Sequence, residues 1–312
     1  MSTISTAMTF SAKERECELL FCQYGPFFHM YTDGNLSQTL FCNQEDFIVI
    51  MNLIGSCSCF FDKIDIYTYE IMNNHLHFIV GGDKTEAEQY FYMLKSRLQR
   101  YYIRSGRCID LRNFNCEFIT IDSLLMLRNE IGYTNRNGYV VRPDCTPYSY
   151  PWGAGALFFN PFLKLIPSKK FSELPIKEKR RICHSHNIPF KSDNLLVYNG
   201  IILPSSYCKI KVAEKMFRDA HHYFHLISKN FEAFSEIAKR LHEKVIISDE
   251  EMYAAVSNIA FKEFGIKQPS LLTAKGKIDV AKRMHYDFNA SNRQIKNILK
   301  IESNIIDELF PQ

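Results

Sequence analysis

The chain has 312 residues, 46% of them hydrophobic and 23% charged. That is the balance of a globular protein long enough for a real core and two or three domains. A net charge of +4 and a pI near 8.4 permit a nucleic-acid partner without demanding one. No apolar run is long enough to span a bilayer. Met1 to Lys13 lacks the basic segment and apolar stretch of a secretory signal. The ten cysteines include no C-x-x-C pair, and Cys57-Ser58-Cys59 has the wrong spacing for a zinc clip. The expectation is a cytoplasmic protein with reduced, mostly buried thiols and no membrane partner.

Residues 1–24 read as a polar lead-in with a short helix around Glu14–Phe21. Pro26 to Thr32, rich in aromatic residues, reads as a first strand stopped by Asp33-Gly34. Gln44 to about Phe60 has helical spacing, with Asn43 as its cap. Lys63–Met72 is a second strand, and Asn73-Asn74 a turn. His75 to Val80, bounded by Gly81-Gly82, is a third. Lys84–Arg104 is a long helix opened by Asp83 or Thr85. Cys116–Ile121 is a fourth strand. Asp122-Ser123 then caps a helix from Leu124 to about Asn137, ended by Gly138. This order, β-α-β-β-α-β plus a further helix, predicts a ferredoxin-like antiparallel sheet in an α+β domain. The third strand is expected at its centre, with one face left for the extra helix.

Six prolines between 143 and 175, with Trp152 inside Tyr150-Pro151-Trp152-Gly153, read as a stiff connection and a domain boundary. From about Ser205 the pattern is helical. Ile278–Phe288 is one helix, and Ser291-Asn292-Arg293-Gln294 is a capping box opening a second. After a brief turn at Lys300–Glu302, Ser303 caps a third. That is a helix-turn-helix arrangement, tipped towards DNA by Lys282, Arg283, Arg293, Lys296 and Lys300. The expected division is 1–155, catalytic; 156–235, connecting; and 236–312, helical and DNA-binding.

The chemistry centres on His75-Leu76-His77. A strand has a side-chain period of two, so both imidazoles point to one face and make half of a metal site. Taken alone, the pair also reads as two histidines on a solvated face. On the helix Leu124–Asn137, Tyr133 and Asn137 lie one turn apart and share a face. Each alone also reads as a packed tyrosine or an Asn cap. Together, His75, His77 and the Asn137 carbonyl would hold one divalent cation that polarises a phosphate. Tyr133 would be the nucleophile, forming a 5′-phosphotyrosine and freeing a 3′-hydroxyl. Lys95, Arg97, Arg100, Arg104 and Arg107, at the end of the long helix and its exit, read either as a solvated face or as a phosphate track. Arg136, next to Asn137, is a further expected DNA contact, as are Arg293, Lys296 and Lys300.

The block Met72-Asn73-Asn74-His75-Leu76-His77-Phe78 resembles the His-hydrophobe-His motif of HUH-class single-strand nucleases. It is similar in particular to the Met-Pro-Asn-His-Val-His-Leu block of the REP-associated tyrosine transposases and their insertion-sequence relatives. Tyr133-x-x-x-Asn137 and Tyr150-Pro151-Trp152 resemble two further blocks of that family, in the same order. Asn73 stands where the family has proline, and the proline that follows its Asn is absent after Asn137. The resemblance covers roughly residues 25–155. It implies a ferredoxin-like catalytic domain, Mg²⁺ or Mn²⁺, and single-stranded or hairpin DNA as substrate, handled alone or as a homodimer. The expectation is therefore a single-tyrosine DNA transposase. Its rival is a non-catalytic DNA-binding regulator that keeps the fold.

Overall fold

The computed structural model describes residues 2–34, 39–140, 149–188, 190–229, 231–241, 249–288 and 290–311. The chain divides into two compact units, Met1–Phe224 and His225–Gln312. In chain order the first opens with α1 (Ser2–Tyr24), β1 (Phe27–Thr32), α2 (Gln44–Ser58), β2 (Ile64–Ile71), β3 (Leu76–Gly82), α3 (Lys84–Arg104), β4 (Cys116–Ile121) and α4 (Leu124–Val140).

Local chemistry explains where these elements start. The Asn43 side chain accepts from the Asp46 N–H and opens α2. Asp83 accepts from the Glu86 N–H and opens α3. The Ser123 hydroxyl accepts from the Met126 N–H at 3.2 Å and opens α4. Each cap satisfies a backbone donor that has no partner within its helix. Between β2 and β3 the Asn73-Asn74 turn is closed by the Met72 N–H on the His75 carbonyl, 2.9 Å apart.

The four strands form one sheet in the order β2-β3-β1-β4, and every neighbouring pair is antiparallel. Directly paired residues share a face. One row is therefore Tyr69, Phe78, Met30 and Phe118. The Tyr69 hydroxyl reaches Met51 of α2 at 3.0 Å, and Phe78 lies edge-on to Tyr90 of α3. This is the apolar side, and α2 and α3 cover it. Tyr69, Phe78 and Tyr90 are each no more than 1% exposed. Burial of such side chains, at ~1.5–3 kcal/mol each, outweighs helix propensity in holding α2 and α3. The row on the opposite face is Glu70, His77, Tyr31 and Glu117, and α4 packs over it against β2 and β3.

Residues after the sheet stay with this unit. Trp152 stacks on Phe47 at 4.9 Å, and its carbonyl accepts from the Ile71 N–H at 2.9 Å. The Tyr-Pro-Trp segment therefore lies along the β2 edge. A second sheet joins β5 (Lys169–Lys170), β6 (Leu196–Tyr198) and β7 (Ile201–Ile202), with α5 (Ile176–Ile182) packed by it. The Asn52 amide of α2 ties it down, donating to the Gly200 carbonyl at 2.9 Å and accepting from the Ile202 N–H at 2.7 Å. Then come α6 (Ile210–Lys215) and α7 (Ala220–Lys229). Residues 156–224 thus belong to the first compact unit, which ends at Phe224. Buried aromatic side chains and main-chain bonds to β2 hold the proline-rich stretch in this unit.

The second unit holds α8 (Phe231–Arg240), α9 (Asp249–Phe264), α10 (Ala274–Tyr286), α11 (Asn292–Leu299) and α12 (Ser303–Leu309). Its core joins Met252 and Val256 of α9, Val280 and Met284 of α10, Ile295 and Leu299 of α11, and Ile306 of α12. The Ser291–Gln294 capping box is present, and Lys300 ends α11 in the left-handed region. Two helices run longer than their sequence signals. α1 begins at Ser2, and α4 continues through Gly138 to Val140. Among the described residues no helix is long and apolar enough to cross a membrane.

Candidate functional site

The polar face of the sheet and the inner face of α4 bury an unusual set of ionisable and amide groups. His29, Glu70, His77 and Glu130 are each at most 1% exposed, as is Arg136. Burying such groups costs several kcal/mol unless each finds a partner. Clusters of this kind therefore mark functional sites more often than ordinary core.

His77 lies in β3, and His75 in the turn just before it. Their rings meet edge to face with centroids 5.0 Å apart. Tyr133 of α4 brings its ring to 5.8 Å from that of His77 and 6.4 Å from that of His29. The rings of His75, His77 and Tyr133 therefore lie close together, His75 from the turn rather than from the strand itself. Tyr133 is only 2% exposed. Asn137 is half-buried one turn further along α4.

Hydrogen bonds orient both imidazoles. His75 Nδ1 lies 2.7 Å from the Asn74 Oδ1. The Asn74 amide is itself aimed by donating to the Gly34 carbonyl at 2.7 Å. His77 Nδ1 lies 3.0 Å from His29 Nε2, and His29 Nδ1 lies 2.7 Å from a Glu130 carboxylate oxygen. Both members of the His29–Glu130 pair are fully buried. Further along α4, the Thr68 hydroxyl donates to the Asn135 carbonyl at 2.5 Å, and the Asn135 amide donates to the Tyr223 hydroxyl at 2.8 Å. These bonds hold the helix in register over the sheet.

His29 and Glu130 were not singled out from the sequence. Two signals for them existed. His29 interrupts an apolar strand on the same face as Tyr31, and Glu130 stands three residues before Tyr133, on its face of the helix. Only the pairing of β1 with β3 reveals that they meet. Asn74, expected only as a turn former, also aims His75.

The neighbouring tyrosines take different positions. The Tyr150 hydroxyl donates to the Ile71 carbonyl at 2.7 Å, which commits it to anchoring the β2 edge. Tyr148 and the Tyr139 side chain lie outside the described residues.

The expected DNA contacts separate into two groups. Arg97 is 3% exposed, with its guanidinium over the Phe60 ring and bonded to the Asn187 carbonyl. Arg136 is 1% exposed. Both side chains are buried on the inner faces of their helices. Arg100 and Arg104 are exposed and Lys95 is half-exposed. Lys95 and Arg100 line an open cleft of about 610 Å³ with Tyr92 and Arg112. Partial burial holds the Lys95 ammonium below its ordinary pKa. Arg293, Lys296 and Lys300 are all exposed on the second unit, and Lys296 donates to the Ser303 hydroxyl at 2.6 Å.

Among the described residues no group of three or more His, Cys, Asp or Glu side chains is arranged to hold a metal ion. The described cysteines are all free thiols, and burial pushes Cys183 up to about 11 and Cys57 up to about 12. Comparison of the chain with models of protein families, with characterised proteins and with solved structures finds no match.

Proposed function

We propose that the chain is a metal-dependent transposase or endonuclease of the single-tyrosine kind, cutting and rejoining single-stranded or hairpin DNA through Tyr133. The observation that carries this reading is the convergence of His75, His77 and Tyr133, with ring centroids 5.0 and 5.8 Å apart. The strand order β2-β3-β1-β4 supports a ferredoxin-like sheet, because a split β-α-β arrangement gives that order. The α11–turn–α12 segment supports a helix-turn-helix with Arg293, Lys296 and Lys300 on its exposed side.

The donor set suits a catalytic metal better than a structural one. Two imidazoles and the Asn137 carboxamide would leave positions open for phosphate oxygens around Mg²⁺ or Mn²⁺, as catalytic sites require. When bound, the cation supplies charge that stabilises the phosphate oxygens during transfer. His75, His77 and Asn137 would hold it.

Tyr133 supplies the nucleophile. Its oxygen attacks the scissile phosphorus as the bond from phosphorus to the 3′-oxygen breaks. The phenolic proton ends on the released 3′-hydroxyl, so the exchange balances and needs no nucleotide cofactor. Reversal by another 3′-hydroxyl rejoins strands. Tyr133 is 2% exposed. On α3, which covers the other face of the sheet from Tyr133, Lys95, Arg100 and Arg104 offer charge for a strand's backbone, and Tyr92, 60% exposed, offers a face on which a base can stack.

The burial of Tyr133 also fits the second reading, a DNA-binding regulator without catalysis. Incubation with hairpin oligonucleotides and Mn²⁺ separates the two. A nuclease forms a denaturation-resistant protein–DNA adduct that EDTA abolishes and Tyr133→Phe removes while binding persists. A regulator binds equally with EDTA and leaves the DNA intact.

A further inference from the structure

We propose that Glu130 and His29 are positioning residues that fix the proton of His77 on Nδ1, so that its Nε2 is kept as a lone-pair donor for the Tyr133 site. The purpose of this device rests on the nuclease reading; its geometry does not. Three side chains from three elements form one continuous buried line. Glu130 of α4 meets His29 of β1 at 2.7 Å, and His29 meets His77 of β3 at 3.0 Å.

The direction of each bond follows from what the groups can do. A carboxylate oxygen accepts, so His29 is assigned as donating to Glu130 through Nδ1, 2.7 Å away. With its proton on Nδ1, His29 presents its Nε2 lone pair and accepts the Nδ1 proton of His77 at 3.0 Å. With Nδ1 protonated, the remaining nitrogen of His77 is the basic one. A histidine that binds a cation through one nitrogen and donates through the other is the arrangement in which a carboxylate behind it raises ligand basicity. Asn74 performs the equivalent task for His75 through a 2.7 Å contact to its Nδ1. Both imidazoles are thereby set in the same tautomer, His75 by Asn74 and His77 by His29.

The test uses the full chain with isotope-labelled histidine. Long-range proton–nitrogen spectra read which nitrogen of His77 is protonated, and titration with Mn²⁺ alone reads affinity. In the wild type His77 carries its proton on Nδ1. In His29→Phe that preference is lost and Mn²⁺ binding weakens by ~10–100-fold. His29→Gln places an amide oxygen near the former Nε2 and restores both the tautomer and most of the affinity. Near-ultraviolet circular dichroism confirms folding; if the Phe variant does not fold, Glu130→Gln takes its place, with Mn²⁺ binding weakened by ~10-fold. A proton on Nε2 of wild-type His77 overturns the proposal. So does a tautomer and Mn²⁺ affinity unchanged in the folded variant. A wild type with the Nδ1 proton, lost in His29→Phe, but with no Mn²⁺ binding supports the His29 line and removes the nuclease reading.

Discussion

At the scale of single residues, the site is held by groups that are expensive to bury and therefore expensive to disturb. His29 and Glu130 are both fully buried and 2.7 Å apart. His29→Phe leaves the Glu130 carboxylate without the imidazole, and breaking a buried pair in this way costs ~3–5 kcal/mol. His29→Gln, which keeps a polar partner, is expected to lose less than half as much in urea unfolding. Gly138 makes a second case. A methyl group added there would run into the Glu70 carboxylate and the Tyr150 ring. Gly138→Ala is expected to destabilise the protein by ~1–3 kcal/mol through overpacking, measured by the same method. The sequence marks Gly138 as a helix stop, but α4 continues past it to Val140; the residue is small because Glu70 and Tyr150 close on it. His75, His77 and Tyr133 were legible because strand and helix periods are local properties. His29 and Glu130 were not, because a lone histidine in an aromatic strand and a lone glutamate on a helix look ordinary until the sheet pairs them.

At the scale of elements, Asp46 clamps the start of α2 to the segment leaving α3. Its carboxylate accepts from both Arg107 nitrogens at 2.8 and 2.5 Å, from the Tyr101 hydroxyl at 2.9 Å and from the Cys42 N–H at 2.9 Å. Burial pushes its pKa up, but the hydrogen bonds from Arg107, the Cys42 backbone and Tyr101 outweigh this and hold it below the usual carboxylate range. A depressed native pKa contributes stability above the unfolded value of ~3.9. That contribution is lost as pH falls from there through the lower native value. Asp46→Asn is therefore expected to cost ~2–3 kcal/mol at pH 7, and the gap to wild type should close as the pH falls below about 4. A gap that stays constant from neutrality into that acid range would contradict the assignment. Arg107 read from the sequence as part of a basic helix exit; the structure gives it this pairing because Asp46, far away in the chain, ends up beneath it. The helix caps at Asn43, Asp83 and Ser291 were legible because capping uses only neighbouring residues.

At the scale of the whole molecule, the division into Met1–Phe224 and His225–Gln312 sets how DNA binding can be tested. The shared core of α9 to α12 means that removing residues 275–312 would strip α9 of its packing, so charge reversal is the cleaner change. Arg293→Glu together with Lys300→Glu should weaken DNA binding and lower the slope of log affinity against log salt by ~0.7–0.9 per lost phosphate contact. An unchanged slope would make this surface structural. The strand order was legible in outline from the alternation of elements. The unit boundary was not, because the proline-rich stretch that suggests a linker also carries Trp152 and Tyr150 into the core.

The central claim is that the phenol of Tyr133 takes up a DNA phosphate beside His75 and His77. Its most direct measurement is mass spectrometry of peptides from the protein after reaction with a hairpin oligonucleotide and Mn²⁺. The expected result is a nucleotide carried by the peptide containing Tyr133, lost with EDTA and in His77→Ala. A nucleotide on Tyr139, Tyr148 or Tyr150 instead, or intact binding with no modified tyrosine at all, would contradict it.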